Sequence, residues 1–158
     1  SAWLKGLSPK ENREVPPLVR ETAFRLKKDF PDTVMLINGQ IASLDEAKAL
    51  VDAGMDGVMV GRAAYQNPWM LAGVDEVLYG VEHDVTRLEC VHRMTAYLEE
   101  NYRDDVHAIR AVARHVNGLA QGLPGARRWR QVLSDPAAIK DRGAGLIQYA
   151  WEEAFGEG

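Results

Sequence analysis

Residues 33–62 constrain this 158-residue chain more than any other stretch. A short apolar run, a capped helix and a second apolar run follow one another there, and each run stops at a glycine. Thr33-Val-Met-Leu-Ile37 has the length and character of a strand and ends at Asn38-Gly39. Ser43-Leu-Asp-Glu46 is a capping box, with Ser43 at the N-cap and Glu46 three residues on. The helix it opens runs through Ala47, Leu50 and Val51 and closes on Gly54. Gly57-Val-Met-Val60 is the second strand, and Gly61-Arg62 follows it. A strand–helix–strand unit of this kind is a right-handed parallel crossover, which sets both strand C-termini on one edge of a sheet. Asn38-Gly39 and Gly61-Arg62 are therefore expected to face one site.

Two strand ends with bare backbone N–H groups in glycine-containing loops suit a phosphate. Gly61 permits close approach of the backbone, Arg62 can bind a phosphate through two parallel hydrogen bonds, and Ala63–Asn67 reads as a short helix beginning beside them. Taken singly, each glycine is equally a loop residue and Arg62 equally a surface residue. Their pairing on one crossover favours the phosphate. The arrangement recurs at the last two strands of (β/α)8 barrels. No G-x-G-x-x-G follows a strand, so a mononucleotide or sugar phosphate fits better than a dinucleotide on a Rossmann fold.

The flanks differ in kind. Residues 1–14 are polar and turn-rich, carrying Lys5, Lys10 and Arg13 around Ser8-Pro9. Such a loop lies either on the edge of the cradle or in solvent as a plain connection. Ser1–Leu7 has no element before it, as expected of a stretch cut from a longer parent. Pro16-Pro17 suits the first turn of a helix whose apolar face continues through Leu18, Ala23, Phe24, Leu26 and Phe30. Strand signals vanish after about residue 84. Val85, Leu88, Val91, Met94 and Leu98 form one helical stripe, and Ile109, Val112, Val116 and Leu119 another. Gly122-Leu-Pro-Gly125 breaks the chain before helical stretches near 126–133 and 142–155. The boundary is expected between Gly73 and Asp84, giving an α/β part over 1–75 and an all-α part over 84–158.

The formal net charge of −4 argues against a nucleic-acid partner, but the charge is unevenly spread. Arg103 to Arg142 contains seven Arg and one Lys against four Asp and no Glu. Arg110, Arg114, Asn117 and Gln121 recur at helical spacing opposite the apolar stripe, and Ala126-Arg-Arg-Trp-Arg130 follows the break. Arginines so placed make phosphate contacts or simply solvate a helix, and Trp129 either stacks on a base or anchors in the core. A catalytic centre is not visible. Cys90 sits in a helical pattern where a thiol acts as a small apolar group, and His83, His92, His107 and His115 lack metal-ligand spacing or a paired nucleophile. A single cysteine suits a reducing cytoplasm, and no apolar run approaches the roughly 20 residues of a membrane span.

Ala2-Trp-Leu-Lys-Gly-Leu-Ser-Pro-Lys-Glu-Asn-Arg13 with Pro16-Pro17-Leu18 closely resembles the loop after the sixth barrel strand of A-type tRNA-dihydrouridine synthases. Ile37-Asn-Gly-Gln-Ile41 is similar to that family's Asn-Gly-Gly-Ile loop, with Gln40 replacing the second glycine. Gly57-Val-Met-Val-Gly-Arg62 and Ala64-Tyr-Gln-Asn-Pro68 resemble its eighth-strand signature. Arg114-His115, Gly118-Leu119 and Gly122-Leu-Pro-Gly-Ala-Arg127-x-Trp129-Arg130 resemble its C-terminal helical signature. The matches span nearly the whole chain in order.

The resemblance implies the last strands of a TIM (β/α)8 barrel followed by an all-α tRNA-binding domain, in a monomeric cytoplasmic enzyme that reduces D-loop uridine in tRNA to dihydrouridine with FMN and NADPH. It implies that Asn38, Gly39, Gln40, Gly61 and Arg62 hold the FMN phosphate. Lys10, Arg13, Arg127 and Arg130 match positions that contact tRNA, and Arg114 joins them from the basic face. The family's proton-donating cysteine and flavin-ring contacts correspond to positions before Ser1, so no catalytic residue and no metal ligand is expected here and the chain alone is expected to be inactive. Gln40 adds a side chain at a tight turn, where a changed backbone is expected. Two other readings stand beside this one: a non-catalytic helical RNA-binding module with a barrel remnant, and another phosphate-binding barrel enzyme.

Overall fold

The computed structural model describes Gly6, Ser8, Lys10, Glu11 and residues 18–156. It is an α/β chain dominated by helices, with one parallel pair of strands. It divides into two compact units, one of residues 1–41 and 45–60, the other of residues 42–44 and 61–158.

The first unit contains helix α1 (Arg20–Asp29), strand β1 (Leu36–Asn38), most of helix α2 (Leu44–Asp52) and strand β2 (Gly57–Met59). Pro16-Pro17 lie outside the described residues. The helix starts three residues beyond Pro17, at Arg20, with Glu21 in its first turn and Lys27 and Lys28 in its last. That charge order complements the helix dipole. Ala23 and Phe24 pack on a core of Ile37, Ile41, Ala47, Leu50 and Met55. Leu18 precedes α1, and Leu26 and Phe30 are exposed, so the apolar face is narrower than its sequence pattern. Helix α2 starts directly after Ser43 and ends at a left-handed Gly54, φ +108°, as the capping signals expect.

The strands pair in parallel, Leu36 with Gly57, Ile37 with Val58 and Asn38 with Met59. β1 is shorter than the Thr33–Ile37 run because a ladder exists only where a partner lies opposite. Ahead of it, Asp56 takes over the pairing. Its carboxylate accepts the Met35 N–H at 2.8 Å, and its own N–H donates to the Met35 carbonyl at 3.1 Å. Lys27 bridges the Asp56 carboxylate, at 2.8 Å, to the carbonyls of Pro31 and Thr33. Ile37 is buried, whereas Leu36 is 68% exposed and Met59 48%.

The second unit holds helices α3 (Arg62–Gln66), α4 (Val74–Tyr79), α5 (Arg87–Asn101), α6 (Val106–Val116), α7 (Ala126–Ser134), α8 (Pro136–Arg142) and α9 (Leu146–Phe155). Short 3-10 turns occupy Pro68–Leu71, Asn117–Ala120 and Gly143–Gly145. Thr86, Asp105 and Asp135 each accept backbone N–H bonds as N-caps of α5, α6 and α8. The core gathers Val91 and Leu98 from α5, Ile109 and Ala113 from α6, Trp129, Val132 and Leu133 from α7, Ile139, and Leu146, Ile147 and Trp151. Trp129 and Trp151 meet edge to face, centroids 5.8 Å apart. The stretch expected as one helix over 142–155 begins instead with the end of α8, and a glycine-bounded turn separates it from α9.

The compact division falls between Val60 and Gly61, earlier than the break in strand signals at 73–84. The reason is a contact within the helical unit. At Gly118, in the turn after α6, a β-carbon would collide with the Gln66 carbonyl and lie 2.9 Å from Pro68 Cδ. The segment after β2 thus packs into the helical unit.

Candidate functional site

In the first unit the parallel register sends the C-terminal ends of β1 and β2 to the same sheet edge. β1 leaves through Asn38-Gly39-Gln40, and both loop residues after Asn38 are left-handed: Gly39 has φ +137° and Gln40 φ +49°. At residue 39 a β-carbon would sit 2.5 Å from Leu18 Cδ1, the movable end of a partly exposed side chain, so glycine is required chiefly by conformation. Gln40 keeps the backbone a second glycine would favour instead of relaxing from it, so the changed backbone expected of the substitution does not take the form of a return to negative φ. The cost of a non-glycine residue there is about 1 kcal/mol.

What holds the turn is Arg20, which sequence reading did not single out. Its guanidinium donates to the Gly39 carbonyl at 2.9 Å and pairs with Glu46 at 2.5 Å. A trans peptide points its carbonyl and the next N–H in opposite directions. Fixing the Gly39 carbonyl therefore fixes the direction of the Gln40 N–H.

In the second unit Gly61 is the N-cap of α3 and makes no side-chain capping bond; Tyr65 N–H closes the first turn on the Gly61 carbonyl at 3.1 Å. Arg62 is exposed and has no ion-pair partner among the described residues. A helix start without a side-chain cap, with an unpaired guanidinium on its first residue, has the donor chemistry that a phosphate group takes.

The basic residues sort into two kinds. Arg127 and Arg130, three apart on α7, are exposed and without ion-pair partners among the described residues, as is Arg114 on α6. Arg128, between them, pairs with Glu153 of α9. That contact raises the Arg128 pKa and, with a Tyr149 hydrogen bond, holds the Glu153 carboxyl below its ordinary value. Trp129 is fully buried, and its indole N–H donates to the Asn117 carbonyl at 3.1 Å. It is an anchor, not a stacking plane. Lys10 is exposed, and Arg13 lies outside the described residues.

Two contacts escaped the sequence reading. The Tyr65 hydroxyl and His115 Nδ1 are 3.1 Å apart, with the rings edge to face at 5.7 Å. Arg87 lies over the Trp69 ring at 4.3 Å and donates to the Leu119 carbonyl at 2.9 Å. Cys90 is half-buried in an apolar groove of about 600 Å³ with Met94 and Tyr97, where its thiol packs as an apolar group. The described residues include no cluster of His, Cys, Asp or Glu able to hold a metal, and no described helix is long and apolar enough to cross a membrane.

The family described as "Dihydrouridine synthase (Dus)" matches residues 4–154. A protein of Vibrio cholerae serotype O1 named "tRNA-dihydrouridine(20/20a) synthase" is 44% identical over 150 residues, 94% of this chain and 45% of that protein. Proteins of the same name from Escherichia coli K12 and Shewanella oneidensis are 47% and 46% identical, covering 94% and 96% of the chain and 43% and 45% of their own lengths. The chain thus spans less than half the length of these curated relatives.

Proposed function

This chain belongs to the dihydrouridine synthase family, and from that premise we propose that it supplies the phosphate-holding loops and the RNA-contacting helices of an FMN-dependent enzyme reducing uridine in tRNA. Residues 1–75 serve as the closing part of the (β/α)8 barrel and residues 84–158 as the tRNA-binding domain. The substrate uridines are those of the D-loop, positions 20 and 20a in the names of the relatives.

The observation that carries the reading is the division of labour on α7. Arg127 and Arg130 have no ion-pair partner among the described residues, while Arg128 is tied to Glu153 and Trp129 is locked in the core. Trp129 fixes the helix through its Asn117 hydrogen bond and its edge-to-face contact with Trp151, which sets the direction of the arginines on either side. Free arginines on a rigid helix suit a phosphate backbone, whose contacts weaken with salt through counterion release. Arg114 extends this surface within the helical unit, and Lys10 and Arg13 are added as tRNA contacts by family resemblance.

The cofactor end relies on backbone. Asn38, Gly39, Gln40 and Gly61 offer N–H groups to the FMN phosphate, and Arg62 adds a charge-assisted contact. When bound, the flavin supplies the hydride for the uracil double bond, and NADPH restores it. This chain's part is to grip the phosphate and orient the tRNA; the proton donor belongs to the catalytic cysteine that the family resemblance assigns outside residues 1–158.

The test is tRNA affinity at several salt concentrations, in an enzyme of the relatives' full length carrying this sequence. Arg127→Ala/Arg130→Ala should lower the slope of log affinity against log salt by somewhat under two units, at about 0.7–0.9 per lost phosphate contact. Arg128→Ala should leave it nearly unchanged. A folded double variant with the wild-type slope would place the RNA surface elsewhere.

A further inference from the structure

Helix α3 spans only Arg62–Gln66. Five residues cannot hold a helix in water, because nucleation is costly and a turn or so of hydrogen bonds does not repay it. The direction of Arg62 is therefore set by what α3 packs against. Two contacts do this within the helical unit. At the end of α3, the Gln66 carbonyl abuts Gly118, where no side chain would fit. Beside it, Tyr65, three residues after Arg62, meets His115 by a 3.1 Å hydrogen bond and an edge-to-face ring contact. His115 is the immediate neighbour of Arg114, and α6 runs into Asn117, whose carbonyl holds the Trp129 indole and so α7.

We propose that Tyr65 and His115 are positioning residues that link the phosphate-holding cation Arg62 to the RNA-contacting cations of α6 and α7, so that cofactor and tRNA affinities are coupled. The inference rests on the functional reading above. Tyr65 and His115 are both exposed, so their bond adds little to the burial that stabilises the unit. A surface bond between a short helix and a long one instead restricts rotation of the short one. Gly118 fixes where α3 touches; the Tyr65–His115 pair fixes how it is turned.

The experiment measures tRNA affinity of the full-length enzyme with and without FMN, and FMN affinity with and without tRNA, the latter by flavin fluorescence. Linkage makes the two ratios equal. In the wild type the ratio should be about fivefold or more. Tyr65→Phe, which keeps the ring and loses the hydroxyl, and His115→Ala should each bring it to within about twofold of unity, with the melting temperature unchanged, and His115→Gln should restore part of it. The double variant should be no worse than either single one. A wild-type ratio near one, or a ratio that survives both substitutions in folded protein, overturns the proposal. Arg62→Ala and Arg127→Ala/Arg130→Ala separate the two failures: if they weaken FMN and tRNA binding while the ratio ignores Tyr65 and His115, only the coupling falls. If they weaken neither, the functional reading falls with it.

Discussion

The Asn38–Gln40 turn and helix α7 are both proposed to meet phosphates, yet they are built in opposite ways. The turn works through backbone held in left-handed conformations, with Arg20 clamping the Gly39 carbonyl and Leu18 filling the space a side chain would need. The helix would work through exposed arginines that have no ion-pair partner among the described residues and that flank a buried tryptophan. On that proposal, binding at the turn is sensitive to conformation, and binding at the helix to charge and salt. Substitutions that leave charge alone should damage the first, and substitutions that leave conformation alone should damage the second.

The largest effect should come from the support beneath the helix. Trp129→Ala removes a fully buried indole, its bond to the Asn117 carbonyl and its contact with Trp151. The expected loss is about 3–5 kcal/mol, read by denaturant unfolding. A loss under about 1 kcal/mol would show that α7 is held some other way.

Next comes the turn. Gly39→Ala should cost about 1–3 kcal/mol, from positive φ and from collision with Leu18. Adding Leu18→Ala separates the two causes, because it removes the collision and leaves the conformational part. Full rescue by Leu18→Ala would mean that space alone required glycine. Gln40→Gly is the converse change, relieving a non-glycine residue at φ +49°. It should alter stability by less than about 1 kcal/mol, since relief is offset by the greater freedom of glycine in the unfolded chain.

The smallest effect is on pH dependence. Hydrogen bonds from Lys27 and from the Met35 N–H hold the Asp56 carboxyl below its ordinary pKa. A carboxyl lowered in the folded state contributes stability above its unfolded pKa of about 3.9, and loses it as pH falls through the folded value. Glu153 behaves alike through Arg128 and Tyr149. Unfolding followed from pH 6 down to pH 2 should show stability lost below about pH 4, less steeply in Asp56→Asn. An Asp56→Asn curve parallel to wild type would show that the Asp56 carboxyl titrates alike in the folded and unfolded chain.

Local signals were enough for the strand–helix–strand order, the start of α2 after Ser43, its glycine stop and the short helix after Arg62, because each depends on residues within a few positions of one another. For Trp129 the sequence left stacking and core anchoring both open, and its burial in the fold decides for the anchor. Less legible were the short strands, whose limits depend on the residue opposite, and the exposed Leu26 and Phe30, whose pattern matched a helix face wider than the core that α1 meets. Residues 61–75 read as part of the α/β segment because nothing in them reveals that Gly118 receives the Gln66 carbonyl.

Sequence alone determined which residues are candidates for phosphate contact: the glycines at two strand ends, Arg62 after the second, and the arginines around Trp129. Tertiary structure decided which of them are free to make it. Arg128 lies beside Arg127 in the chain, yet a glutamate 25 residues away neutralises it. Arg20 became the clamp of a turn 19 residues on, and Tyr65 met a histidine 50 residues distant. Spacing along a helix tells which side chains share a face. Only the folded chain brings a distant partner within hydrogen-bond reach, and that meeting separates a bound cation from a free one.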